Sequence, residues 1–250
     1  MNLFVLLGII GLSSLILTMI GLGGGLVFSP LFVLLGFPKS MAVAASLFLN
    51  GIAAASASLV YIRKKMVDFS VALPIIIASS IGAPLGALTT HRVDTRIFMM
   101  IMMSVVLAAA LRMLFSSKGA PKRPEAGRNV KILGGGSIGL AIGFLGGMLG
   151  IGGGVFVVPM LIYFIGISTR TAAASSAFIV CFSSLTGFIT HASISSIDWR
   201  FILWAALFSF VGGQIGSRIM AEKLRGRTIR IVFGVILMGF FFKLLQRTFF

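Results

Sequence analysis

Ile20-Gly21-Leu22-Gly23-Gly24-Gly25, reaching Pro30, and Leu149-Gly150-Ile151-Gly152-Gly153-Gly154, reaching Pro159, are two copies of one glycine knot. Each follows an apolar run, and Gly21 and Gly150 stand 129 positions apart. Glycine inside a helix costs about 1 kcal/mol relative to alanine. Two matching clusters in apolar sequence therefore indicate paired discontinuous membrane helices, a pattern that points to a transport site at the interface of two repeats.

Composition sets the solvent. The chain has 250 residues, 58% hydrophobic and 10% charged, where a soluble domain carries about 25% charged residues. It reads as an all-α polytopic membrane protein whose surroundings are a lipid bilayer. The net charge of +16 does not indicate nucleic acid, because the basic residues lie in short loops between apolar runs rather than on one soluble face. Met1 to Phe4 carries no Lys or Arg, unlike the basic start of a cleavable signal peptide, and reads as the beginning of the first membrane element.

Matching the halves extends the repeat. Gly36 meets Gly166, Ala44-Ala45-Ser46 meets Ala174-Ser175-Ser176, and Asp68 meets Asp198. Gly82 meets Gly212, Gly86 meets Gly216 and Arg96 meets Arg227. Residues 1–117 form the first repeat, 118–131 a polar linker and 132–250 the second repeat, together one integrated membrane domain.

About 20 residues cross the hydrocarbon, which gives three spans per half: 41–62, 70–90 and 97–115, then 171–190, 200–218 and 229–246. The first element of each half is ambiguous. Residues 3–20 are long enough to cross, but a helix over 26–37 is only about 18 Å long. Positive charge arbitrates. If the broken element returns to its own side, the second half is inverted. Arg63, Lys64, Lys65, Arg112, Lys118, Lys122, Arg123, Arg128, Lys131, Arg170, Arg218, Lys223, Arg225, Arg227 and Arg230 then share one side, 15 basic residues against 6. If it crosses once, the division is 12 against 9. The first arrangement is favoured, with the linker cytoplasmic and both termini outside. A re-entrant hairpin and a pair of completed, broken spans give the same sidedness, so both stay open.

No Asp, Glu, Lys or Arg falls in the middle of a span. Asp68 and Asp198 stand at helix starts and read first as N-caps. An anion binder needs no buried lysine, because a helix N-terminus offers unpaired N–H groups and about half a positive charge. Glycine lets an anion approach those amides without a Cβ in the way. Gly23, Gly24, Gly25, Gly152, Gly153 and Gly154 are therefore candidate substrate ligands, with helices starting at Leu26 and Val155. Close helix packing through small residues is the competing reading. Ser46 and Asn50, four apart and on one helix face, are further candidates, as are Ser175, Ser176 and Gln214. Interhelical hydrogen bonding is their alternative. His91 and His191 fall at outer ends; proton coupling through them is the minority reading. They lack partners at metal-binding spacing, and Cys181 is the lone cysteine. No nucleophile arrangement, P-loop lysine or dinucleotide-binding context is legible. The expectation is no metal, no cofactor and no enzyme.

The repeated Gly-x-Gly-Gly-Gly-x4-Pro resembles the TauE/SafE family of sulfite exporters. So do the Val67-Asp68-Phe69 and Ile197-Asp198-Trp199 helix starts and the Gly82-x3-Gly86 and Gly212-x3-Gly216 pairs. The resemblance covers nearly the whole chain. It implies an inner-membrane permease for a small sulfur-containing anion such as sulfite or an organosulfonate. A secondary transporter working by alternating access leads. A passive anion channel and a non-transporting membrane assembly subunit are the other readings.

Overall fold

The computed structural model describes residues 3–90, 92–115, 128–192, 199–223 and 227–249. Residues 118–127 of the linker, His91 and Asp198 lie outside them. The first half contains α1 (Leu3–Met19), α2 (Gly25–Leu34), α3 (Lys39–Arg63), α4 (Phe69–Thr90) and α5 (Thr95–Phe115). The second contains α6 (Arg128–Leu149), α7 (Gly154–Met160), α8 (Thr169–Ala192), α9 (Trp199–Lys223) and α10 (Arg227–Phe249). A wider π-helical turn, Leu161–Ile165, continues α7. No strand occurs among the described residues. All six expected spans are helices, and α3, α4, α8 and α9 are long and apolar enough to cross a membrane.

Packing follows the repeat pair by pair. On α4, a Cβ placed on Gly82 would lie 2.3 Å from Leu140 O and one on Gly86 1.9 Å from Phe144 O, both on α6. On α9, a Cβ on Gly212 would lie 2.3 Å from Gly11 O and one on Gly216 2.0 Å from Leu15 O, both on α1. These are corresponding contacts, and each joins one half to the other. Apolar side chains gain nothing by leaving lipid, so close backbone approach through small residues supplies the association.

The corresponding helices α3 and α8 pair with each other and run antiparallel. Leu47 lies against Gly187 and Leu185 against Gly51. Ala54 packs with Val180 and Cys181, and Tyr61 and Ala57 pack with Ala173, Ala174 and Ala177. Contacts thus ascend α3 as they descend α8. By contrast α9 runs alongside α3, with Ser209 bonded to Leu49 O and Gln214 to Ser56 O.

The ambiguous first element resolves as a broken but complete hairpin. Helix α1 reaches the far end of α3, where Tyr61 donates to Thr18 O at 2.8 Å. Helix α2, ten residues long, covers only about 15 Å, half of the roughly 30 Å core. The non-helical stretch Ile20–Gly24 covers the rest, standing against Ala173 at Gly21 and against Asn50 at Gly23. Left-handed φ angles of 78° at Gly21 and 69° at Gly23 make the turn, and Gly150 and Gly152 repeat them at 77° and 69°.

Basic residues cap the ends of the bundle. Arg170 at the start of α8 donates to Ala221 O near the end of α9, and Lys64 pairs with Glu222 at 2.8 Å. At the opposite end Lys39 donates to Val93 O, just beyond α4. Cations at helix C-termini satisfy the last carbonyls and the helix dipole.

Candidate functional site

The two glycine turns meet in the centre of the bundle. A Cβ on Gly25 would lie 2.8 Å from Gly150 O and 2.9 Å from Ile151 O. Its counterpart on Gly154 would lie 2.7 Å from Leu22 O. Each half-helix thus begins against the other repeat's turn, and only glycine fits there. Every residue from Gly21 to Val33 is buried.

Non-helical backbone at membrane depth must have its polar groups satisfied from within the protein. Hydroxyls and one amide do this. Asn50, fully buried on α3, accepts the Gly25 N–H through Oδ1 at 2.8 Å. Through Nδ2 it donates to Ser184 Oγ at 2.8 Å and to Ile151 O at 3.4 Å. One side chain therefore ties both turns to α8. Ser46, one turn earlier on the same face, donates to Gly150 O at 2.6 Å. Its counterpart Ser176 donates to Gly21 O at 2.7 Å. Ser29 donates to Leu149 O at 2.5 Å and Ser183 to Gly152 O at 3.0 Å.

Some amides at the break stay open. The N–H groups of Gly23, Gly24, Gly153 and Gly154 make no hydrogen bond with any described residue. They belong to the first orphan donors of α2 and α7, whose positive ends point at the centre. Among the described residues the buried polar groups include no Asp, Glu, Lys or Arg, so the site's field comes from backbone dipoles and neutral side chains.

The six glycines, Ser46, Asn50 and Ser176 converge on the turns. Ser175 and Gln214 do not. Ser175 is one residue, about 100° of helix, away from Ser176, and its Oγ accepts the Asp68 N–H at 2.9 Å. Gln214 Nε2 donates to Ser56 O at 3.0 Å between α9 and α3. Asp68 is an N-cap: its Oδ1 accepts the Ser70 N–H at 3.0 Å. His191 is fully buried rather than at an exposed end. Its Nε2 lies 3.2 Å from Gly147 O, the position matching Thr18 O, which Tyr61 holds in the other half. Both side chains secure a carbonyl at the end of the helix before the turn. Ser29, Ser183 and Ser184 were not singled out in the sequence; the signal available was their placement on apolar segments already facing the glycines.

Two broken helices meeting head to head inside a membrane bundle are the architecture of a transporter built from repeats. The comparisons give the same class. A family model described as "Sulfite exporter TauE/SafE" matches residues 5–244. The chain is 30% identical over 258 residues to "Probable membrane transporter protein YunE" of Bacillus subtilis, covering 94% of each chain. It is 28% identical to a "Probable membrane transporter protein" of Haemophilus influenzae, over 91% of this chain and 88% of the other. "Sulfite exporter TauE/SafE family protein 1" of Arabidopsis thaliana is 33% identical over 105 residues, 39% of this chain and 22% of that one. No solved structure matches. The chain belongs to the TauE/SafE sulfite exporter family. The names of these relatives are those of membrane transporters, which indicates a non-enzymatic role.

Proposed function

We propose that this protein is a secondary transporter exporting a small sulfur-containing anion, sulfite or an organosulfonate, across the cell's inner membrane by alternating access. The observation that carries this reading is the meeting of two half-helix N-termini whose amides at Gly23, Gly24, Gly153 and Gly154 have no hydrogen-bond partner among the described residues. An oxyanion entering between the turns would take those donors, as anions do at helix N-termini. Asn50, Ser46 and Ser176 would orient it. Ser175 and Gln214 would act only through the helix interfaces they join. The antiparallel pairing of α3 with α8 supports inverted repeats. With the basic end of the bundle cytoplasmic, the linker is inside and both termini are outside. The matching family's description supports the substrate class.

The test is flux in proteoliposomes with sulfite, sulfoacetate, taurine, thiosulfate and acetate, with and without a pH gradient. The expected result is saturable uptake of a sulfur oxyanion with counterflow, abolished in folded Gly25→Ala and Gly154→Ala proteins. Flux without saturation or counterflow means a channel. Flux of none of these anions by folded wild type overturns the assignment. A pH-gradient dependence would establish proton coupling.

A further inference from the structure

The two glycine turns share left-handed φ angles at Gly21/Gly150 and Gly23/Gly152, part at Gly24 (φ −102°) and Gly153 (φ 79°), and differ in how firmly they are held. In the second, four consecutive carbonyls each receive a side-chain donor: Leu149 from Ser29, Gly150 from Ser46, Ile151 from Asn50 and Gly152 from Ser183. The corresponding carbonyls of the first are those of Ile20, Gly21, Leu22 and Gly23. Only Gly21 O receives such a donor, from Ser176. The reason is in the sequence. Ser46 has its counterpart in Ser176, but the positions matching Ser29, Asn50 and Ser183 are Val158, Val180 and Ala53. Those three side chains are buried and carry no hydrogen-bond donor.

The first turn has two attachments that the second lacks, the Gly25 N–H to Asn50 bond and a 3.4 Å contact from Ser46 Oγ to Gly25 O. Both fix the start of α2, not the stretch before it. Backbone bonds offset part of this: the Ile20, Gly21 and Leu22 amides bond the Leu17, Thr18 and Leu17 carbonyls, against Ile151 and Gly152 amides to the Gly146 carbonyl in the second turn, but none of them reaches another helix.

We infer that the stretch Ile20–Gly24 is the moving gate of this transporter and that Leu149–Gly152 is its fixed wall. Segments that open locally are those with the fewest satisfied interactions. Opening the first stretch breaks one side-chain bond; opening the second breaks four. The donor set also predicts where the gate pivots, between Gly21, held by Ser176, and Gly25, held by Asn50. This inference rests on the transport reading for the word gate, though not for the difference in mobility.

The experiment is amide hydrogen exchange of the purified protein in lipid nanodiscs, corrected for intrinsic rates, alongside the proteoliposome flux assay. Residues 20–24 should exchange at least about tenfold faster than 149–153, as expected for three missing bonds of the strength found between membrane helices. Equal rates, or a faster second turn, overturn the inference. Val158→Ser with Ala53→Ser should return donors to Ile20 O and Gly23 O, slow exchange in the first turn and lower flux. Ser29→Ala with Ser183→Ala should accelerate exchange in the second turn. If the first double variant does not fold, the wild-type comparison and the second double variant still decide. Unequal exchange with no anion flux in folded wild type sinks the transport reading and leaves the mobility difference. Flux unchanged by a demonstrably slowed first turn sinks the gate.

Discussion

Replacing Asn50 by leucine tests whether one amide holds the two turns together. The side chains are close in size, so packing changes little while three hydrogen bonds go: to Gly25 N at 2.8 Å, Ser184 Oγ at 2.8 Å and Ile151 O at 3.4 Å. Ser184 loses only a donor to its Oγ, and its hydroxyl hydrogen is unaffected. The Gly25 N–H and Ile151 O cannot move, and a buried backbone group left unpaired costs about 1–3 kcal/mol. That route gives about 2–6 kcal/mol for the two groups together. Interhelical bonds measured inside membranes are weaker, about 0.6 kcal/mol each on average, so three give a lower figure of about 2 kcal/mol. The expected loss is therefore about 2–4 kcal/mol, read by equilibrium unfolding in mixed detergent micelles. Ser58→Ala is the control: Ser58 bonds only Ala54 O on its own helix, and its loss should stay within about 0.5 kcal/mol. An Asn50→Leu protein within about 0.5 kcal/mol of wild type refutes the assignment of Asn50 as the tie.

Gly25→Ala and Gly154→Ala should damage folding and flux alike, because their added Cβ atoms meet carbonyls at 2.8 Å and 2.7 Å; size-exclusion recovery compares them with Gly136→Ala, which meets nothing within 4 Å. Gly86→Ala and Gly216→Ala, at 1.9 Å and 2.0 Å from facing carbonyls, should cost more in recovered folded protein than either. Asp68→Ala should lower stability by about 1 kcal/mol through loss of a cap and leave the concentration for half-maximal flux unchanged; a shift in that concentration would make Asp68 part of the substrate path. Lys64→Ala should change stability by under about 1 kcal/mol, because its bond to Glu222 is exposed.

Much of this arrangement is legible in the sequence because lipid imposes simple rules. Span length, the duplicated glycines and the capping aspartate each have one physical cause, and each recurs in the structure where that cause puts it. The partners within the site were harder to read. Comparison of the halves highlights what they share, so Ser46 and Ser176 stand out, while Ser29, Ser183 and Ser184 face valine or alanine in the other half and draw no notice. Ser175 looked equivalent to Ser176, yet one residue of helix rotation turns it toward α4. His191 reads from the sequence as an outer-end residue, and the structure puts it in place of Tyr61 in a buried carbonyl contact whose partner, Gly147, is 44 residues distant. Such pairings depend on tertiary contact, which spacing along one helix does not encode.

The division between what the halves share and what they do not has an energetic meaning under the alternating-access reading. Two inverted repeats of identical sequence would exchange conformations between the inward-open and outward-open states, so those states would have equal energy. The glycine contacts keep that symmetry: Gly82 and Gly86 approach α6 as Gly212 and Gly216 approach α1. The donors to the turns break it. Three carbonyl bonds present on the second turn only, at about 0.6 kcal/mol each, amount to about 2 kcal/mol. At about 1.4 kcal/mol per tenfold this is a preference of roughly 30 to 1 for the state that keeps them. A bias of that size leaves the minor state populated at a few per cent, so a substrate with modest differential affinity can draw the protein through it. Moving serine from Ser29 to Val158 and from Ser183 to Ala53 leaves one carbonyl bond on the second turn only and two on the first only, a net of one bond the other way, about 0.6 kcal/mol or roughly 3 to 1. Single-molecule distance measurements between labels on α1 and α6 should then find the original preference lost and weakly inverted, and an unchanged distribution would mean that these hydroxyls do not set it.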